Sequence, residues 1–203
     1  LELHIEQGPI LEKNNKDIGI VTDIAAPHRF KLNIQGVTSH SGSTPMPMRI
    51  DALTTSSEII LSIESIGQTY HDQGIVTTVG YANVYPNTMN AIPGEVTLLI
   101  DIRGKDLAVR EQVVTEIQQQ IQAITQKRKT AYHLEDLGQD KPQSFNHKMA
   151  QITELSCLQS DYSFRYMYSG AGHDAMNFAP ICPTSMIFIP CKKGISHSPE
   201  ESV

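Results

Sequence analysis

Between residues 28 and 137 the spacing of apolar side chains switches between a period of two and a helical period in a set order, and that order restricts the fold more than any other feature. Phe30, Leu32 and Ile34 alternate with Lys31, Asn33 and Gln35, as in a half-buried strand. Ala52, Leu53, Ser56, Ile59, Ile60, Ile63 and Ile66 then recur at helical spacing, with Pro45 and Pro47 suited to the beginning and Gly67 to the stop. Two alternating runs follow, one through Ile75, Thr77, Val79 and Tyr81 and one through Val96, Leu98, Ile100 and Ile102. Val109, Val113, Val114, Ile117, Ile121 and Ile124 mark a second helix, and Ala131 to Leu137 a last strand. Strand, helix, strand, strand, helix, strand is the order of a ferredoxin-like domain, two helices on an antiparallel sheet.

The remaining residues, about 1–20 and 138–203, offer a short strand or helix end at Leu1 to Ile5, a Gly8-Pro9 break, a polar turn at Asn14 to Asp17 that leads into the run Ile18 to Ile24, a helix from about Asn146 to Ser160, the turn-rich Tyr168 to Asp174 and a strand at Ser185 to Ile189. The last run hardly alternates, as in a strand buried on both faces of a larger sheet. The expected fold class is α/β (α+β): a ferredoxin-like domain, residues 21–137, inserted in an incomplete α/β domain of residues 1–20 and 138–203. In that incomplete domain Ser185 to Ile189 is expected to lack neighbouring strands and to expose apolar surface unless another chain or a rearranged N-terminus covers it. Without an initiator Met, and ending at a Ser198-Pro199-Glu200-Glu201 run that has the form of a helix start, the chain reads as part of a longer one.

The net charge of −6 argues against a nucleic-acid partner, since phosphate contacts need clustered Lys and Arg. The basic run Lys127-Arg128-Lys129 follows a helix and complements its C-terminal dipole. No apolar run is long enough to span a bilayer, so no membrane partner is expected. Cys157, Cys182 and Cys191 show neither metal-knuckle spacing nor disulfide density, which fits reduced thiols and a cytoplasmic location.

His40 lies in the small, polar stretch Gly36-Val37-Thr38-Ser39-His40-Ser41-Gly42-Ser43-Thr44-Pro45-Met46. A loop imidazole there suits proton transfer or donation to an oxyanion, and the same stretch also reads as an ordinary strand-to-helix turn. His4, His173 and His197 sit at strand ends or Gly-bounded turns, where an imidazole with a carboxylate such as Glu6, Asp174 or Glu200 suits a divalent metal, although each also reads as structural or solvated. Arg103 belongs to the strand face opposite the helices, beside Asp101. It reads either as a surface ion pair or as a fork for a carboxylate, with Asn87 or Asn90 supplying further contacts. Ser169-Gly170-Ala171-Gly172 can present backbone N–H groups to an anion but lacks the Lys and spacing of a phosphate loop.

Taken in order, Leu3-His4-Ile5-Glu6-Gln7-Gly8-Pro9, Ser39-His40-Ser41-Gly42-Ser43-Thr44-Pro45-Met46, Asn87-Thr88-Met89-Asn90-Ala91-Ile92-Pro93, Asp101-Ile102-Arg103, Ser169-Gly170-Ala171-Gly172-His173-Asp174-Ala175 and Gly194-Ile195-Ser196-His197-Ser198-Pro199-Glu200-Glu201 resemble the N-carbamoyl-L-amino-acid hydrolases and allantoate amidohydrolases, within the dinuclear-metal aminoacylases and peptidases. The resemblance implies a hydrolase of a linear C–N bond with two divalent metal ions, zinc or manganese, one ligated by His4 and the other by His197. It implies that the inserted domain is a lid through which the protein forms a homodimer. His40 would polarise the scissile carbonyl in the partner subunit's site. Asn90 and Arg103 would hold a small carboxylated substrate, and Gly170, Ala171 and Gly172 would line the pocket that His173 and Asp174 shape. In such enzymes metal-bound water attacks the carbamoyl or amidine carbon. The family's other metal ligands and general base have no counterpart among these residues, so the chain alone is expected to bind metal poorly and to lack activity. An N-acyl-amino-acid deacylase or peptidase of the same group, and a non-catalytic dimerisation or binding module, are the alternatives.

Overall fold

The computed structural model describes residues 1–203 and divides them into two units, residues 1–26 with 141–203 and residues 27–140. In chain order the first unit begins with β1 (Glu2–Ile5), α1 (Ile10–Lys13) and β2 (Ile18–Ile24). The second unit comprises β3 (Ala26–Gln35, from its second residue), β4 (Ser39–His40), α2 (Ala52–Thr69), β5 (Ile75–Tyr85), β6 (Ala91–Ile92), β7 (Glu95–Gly104), α3 (Leu107–Arg128) and β8 (Ala131–Gln139). The chain then returns to the first unit with β9 (Gln143–Ser144), α4 (His147–Gln159), β10 (Phe164–Ser169), α5 (Ala175–Phe178) and β11 (Met186–Ile189). No helix is long and apolar enough to cross a membrane.

The second unit has the order expected from its periodicity. Its sheet runs β5-β7-β3-β8, and α2 and α3 pack on one face. The alternation of β7 explains why: Val96, Leu98, Ile100 and Ile102 are buried with Ile59, Ile63, Val113, Ile117 and Ile121 of the helices, while Thr97, Asp101 and Arg103 fall on the other face. Asp51 starts α2 by accepting from the N–H groups of Leu53 and Thr54, and Asp106 does the same for α3 through Ala108 and Val109. Lys127 and Arg128 do more than face the end of α3, since both pair with Glu58 of α2.

Two helix-boundary expectations are corrected. Pro45 and Pro47 belong to a 3₁₀ turn around Met46–Met48 that precedes α2. Gly67 lies inside α2, which closes on β5 there: a Cβ at Gly67 would stand 2.3 Å from Thr77 Oγ1, so packing and not termination requires the glycine.

In the first unit the sheet order is β1-β11-β2-β10, with β9 also on β2. β11 pairs parallel to β1 and antiparallel to β2, so the expectation that Ser185 to Ile189 would lack neighbours is overturned. Met186 and Phe188 are buried with Leu11, Val21 and Ile24. The domain boundaries shift for the same reason: β2, including residues 21–24, pairs with β10 and β11 of the first unit, and the chain crosses at 26/27 and 140/141. The run after His197 forms turns and no helix.

Gly36 shows how tightly the base of the His40 excursion is built. Its N–H donates to Gly94 O at 2.8 Å, Val37 N donates to Ile50 O at 2.8 Å, and Ala52 N to Pro93 O at 3.0 Å. A Cβ at Gly36 would lie 2.2 Å from Ile50 O and 3.0 Å from Ala52 N, both backbone atoms that cannot swing away. Gly36→Ala is therefore expected to cost about 3 kcal/mol, at the upper end of overpacking effects, read as a lowered urea midpoint with unchanged slope. A midpoint equal to that of the parent chain would contradict the backbone placement.

Candidate functional site

β1 and β11 run side by side with His4 opposite Phe188, and the chain beyond each strand turns toward one cavity of about 760 Å³. His4, Gln7, His197 and Glu201 line it. His4 Nδ1 lies 2.9 Å from Ile5 O, which only accepts, so Nδ1 carries the proton and Nε2 keeps its lone pair. That is the tautomer of an imidazole available to a cation. Gln7 Nε2 is 3.4 Å from His197 Nε2, and the His197 N–H donates to Glu201 Oε2 at 2.9 Å. Gln7 and His197 both hold left-handed backbone, φ 57° in each, a conformation uncommon outside glycine.

Two imidazoles on one cavity wall are a beginning, but no group of three or more His, Cys, Asp or Glu side chains is gathered where it could hold an ion. Glu6 is committed elsewhere: its carboxylate accepts from Ile10 N and Leu11 N, both at 2.7 Å, and caps α1. Asp174 lines a different cavity with Leu1, Glu2 and Phe178, and Glu200 is exposed. The residues present do not by themselves fit a metal ion.

His173 packs edge-on against His4, ring centroids 4.6 Å apart, and bonds Ser169 Oγ at 2.9 Å. Burial, then the neighbouring His4, pushes its imidazole below the ordinary value. Ser169 is buried, and its Oγ receives Ala171 N at 3.1 Å, folding the Gly170, Ala171, Gly172 loop back over the end of β10.

In the second unit His40 and Asn90 come together. β4 pairs with β6, His40 opposite Ala91, and Ser41 N donates to Asn90 O at 3.0 Å. His40 Nδ1 accepts from Gly42 N at 3.1 Å and from Ser43 N at 3.2 Å. An Nδ1 that accepts two N–H groups leaves the ring proton on Nε2, so the exposed imidazole presents an N–H donor.

Arg103 is elsewhere. It grips Asp101 in a two-point pair, Nε–Oδ1 2.9 Å and NH2–Oδ2 3.1 Å, and Arg29 Nε reaches the same carboxylate at 3.2 Å. Burial pushes the Asp101 carboxyl up, but Arg103 and Arg29 outweigh it and hold the group below the usual carboxylate range. These side chains line a cavity of about 480 Å³ on the helix-free sheet face, with Phe30, Val76 and Leu99. Val76 opposes Arg103 at one end of the β5–β7 ladder, and Tyr85 opposes Glu95 at the other, just beyond Asn90. At ~3.3 Å per residue, Glu95 and Arg103 stand roughly 26 Å apart along β7. Asn90 lies in the loop leading to the Glu95 end of β7, and Arg103 near the opposite end of that strand.

Two residues near these sites were not singled out in the sequence. Gln7 gives no signal of its own in sequence. Arg49 does, being the single Lys or Arg between Lys31 and Arg103.

The model of peptidase family M20/M25/M40 matches residues 1–203. The chain is 37% identical over 200 residues to an N-carbamoyl-L-amino-acid amidohydrolase of Pseudomonas sp., covering 98% of this chain and 48% of the relative. It is 38% identical to an allantoate amidohydrolase of Escherichia coli, over 99% of this chain and 49% of the relative. The crystal structure of a hydantoinase/carbamoylase family amidase from Burkholderia multivorans superposes with a TM-score of 0.95 at 38% identity, over 99% of this chain and 49% of that one. The chain spans about half the length of the curated relatives it matches. Matched along its whole length, with its mixed α/β architecture shared, the chain belongs to peptidase family M20/M25/M40.

Proposed function

We propose that the chain serves a metal-dependent amidohydrolase that cleaves a linear C–N bond in a small carboxylated ureido compound, an N-carbamoyl amino acid or allantoate. The observation that carries this reading is the fixed His40 tautomer: two backbone N–H groups on Nδ1 turn Nε2–H outward as a donor. Such a donor meets the oxygen of a carbonyl as it gains negative charge during attack. Asn90, exposed in the β5–β6 loop, adjoins the His40 turn through its backbone carbonyl, and the Arg103 guanidinium suits the substrate carboxylate. The names of the relatives support the substrate class. Family membership supports dependence on divalent metal, zinc or manganese, with His4 and His197 as donors; this chain's residues alone do not complete that centre.

The separation of Asn90 from Arg103 supports a homodimer through the lid, residues 27–140. Asn90 lies in the loop leading to the Glu95 end of β7 and Arg103 near the other end, a strand length of roughly 26 Å that a small substrate does not bridge, so His40 and Asn90 of one protomer act with Arg103 of its partner. The edge position and largely exposed length of β5 leave this unit a sheet edge for pairing.

Complementation tests both parts in the full-length product of the gene encoding this chain. His40→Ala and Arg103→Ala enzymes are each expected to be crippled, the second chiefly through a KM raised about 30-fold by loss of a charged hydrogen-bond pair. Coexpressed in equal amounts, they form mixed dimers that carry both lesions in one site and none in the other. Recovery to about a quarter of the parent activity is expected for statistical pairing. Activity no higher than that of the single variants would refute the shared site, and failure of the parent enzyme to hydrolyse any ureido acid would refute the substrate class.

A further inference from the structure

We infer that Arg49 is the positioning residue for His40, fixing which ring nitrogen faces a substrate. The inference rests on the proposed role of His40. Arg49 follows the 3₁₀ turn of Met46–Met48 and is partly buried. Its guanidinium addresses backbone carbonyls and not a carboxylate: Nε donates to Thr44 O at 3.1 Å and NH2 to Ser41 O at 2.5 Å. Nearby Asp51 is occupied with the start of α2.

The Ser41 carbonyl and the Gly42 N–H belong to one planar trans peptide, so their directions are opposed and locked together. Arg49 holds the oxygen of that peptide, and His40 Nδ1 receives its hydrogen at 3.1 Å. Fixing one end therefore aims the other. Thr44 supplies the second anchor: its carbonyl is held by Arg49, and its N–H donates to His40 O at 3.2 Å, closing the turn whose Ser43 N–H also reaches Nδ1.

The contact also acts electronically. A guanidinium on the Ser41 oxygen polarises the peptide and strengthens Gly42 N–H as a donor, and donation to Nδ1 makes Nε2–H a stronger donor in turn. Arg49 never touches substrate; it acts through one peptide plane.

The test is ¹⁵N NMR of the histidine rings in this chain, at alkaline pH where the rings are neutral. In the parent chain His40 is expected to show a pyridine-like Nδ1 and a protonated Nε2. Arg49→Met should bring the two shifts together as both tautomers populate. Arg49→Lys, which keeps the charge but lacks the two-point fork, should fall between. A parent-like His40 pattern in Arg49→Met overturns the inference; should that variant fail to fold, the same pattern in Arg49→Lys overturns it. In the full-length enzyme Arg49→Met is expected to lower kcat about tenfold to a hundredfold with KM little changed. Combined with His40→Ala it should cost nothing further, and full additivity would also count against it. The ring spectrum does not depend on catalysis, so an active His40→Ala enzyme would sink the proposed function while leaving the tautomer result intact.

Discussion

His40→Ala in the full-length enzyme is expected to lower kcat by about 10²- to 10³-fold while KM stays within a few-fold, the pattern of a donor that works only as the transition state forms. The geometry requires this split. In the ground state a ureido carbonyl is a neutral acceptor, and one exposed N–H adds little to its binding. As the carbon becomes tetrahedral the oxygen gains charge, and an N–H already aimed by Gly42 and Ser43 needs no reorganisation to meet it. His40→Gln retains an amide donor but not the two-point seat on Nδ1, and is expected to recover at most a tenth of the lost rate. Stopped-flow or steady-state assay with an N-carbamoyl amino acid decides the matter. A His40→Ala enzyme with raised KM and intact kcat would make His40 a binding residue instead.

What the sequence made legible follows the length of each signal. β7 declares both its faces over ten residues, so the Asp101–Arg103 pair on the helix-free side could be anticipated from spacing alone. The same register contained the separation of Arg103 from Asn90, since a strand of that length lies between them. β4 and β6 are two residues each and carry no period, so nothing in sequence joined His40 to Asn90. Glu6 stood beside His4 as a plausible ligand, yet backbone donors four and five residues later claim its carboxylate, and capping leaves little trace in residue spacing. β11 misled for another reason: its partners β1 and β2 come from the opposite end of the chain, and pairing across that distance is set by tertiary structure. Gly67 looked like a stop because glycine often is one; only the close approach of Thr77 explains it as packing.

Arg110 was also legible in principle, and it carries the largest expected effect on stability. It stands in the apolar stripe of α3 with Val113, Val114, Ile117 and Ile121, where a guanidinium breaks the pattern. The side chain is fully buried. Its donors reach Asp140 O at 2.8 Å, Pro27 O at 3.3 Å, Glu111 Oε1 at 3.2 Å and Gln139 Oε1. Pro27 and Asp140 are the first and last residues of the second unit, and Asp140 N donates to Pro27 O at 3.0 Å. One guanidinium therefore closes the unit where its chain enters and leaves. Next to it His28 is buried between Asp136, 2.9 Å from Nε2, and Glu111, 3.6 Å from Nδ1; the His28 hydrogen bond holds the Asp136 carboxyl below its usual range. Arg110→Met fills most of the volume but removes the donors to Asp140 O and Gln139 Oε1, takes one of the two donors from Pro27 O, and leaves Glu111 beside His28 uncompensated. A loss of about 3–5 kcal/mol is expected, as for other broken buried charge networks. Arg110→Lys should recover only part of it, because an ammonium cannot reach both carbonyls in one plane. Hydrogen exchange separates this from a general loosening: the Asp140 amide should lose protection before those of α4, which lies in the other unit. Equal urea midpoints for Arg110→Met and the parent chain would show that the carbonyls find other donors and that the clamp is dispensable.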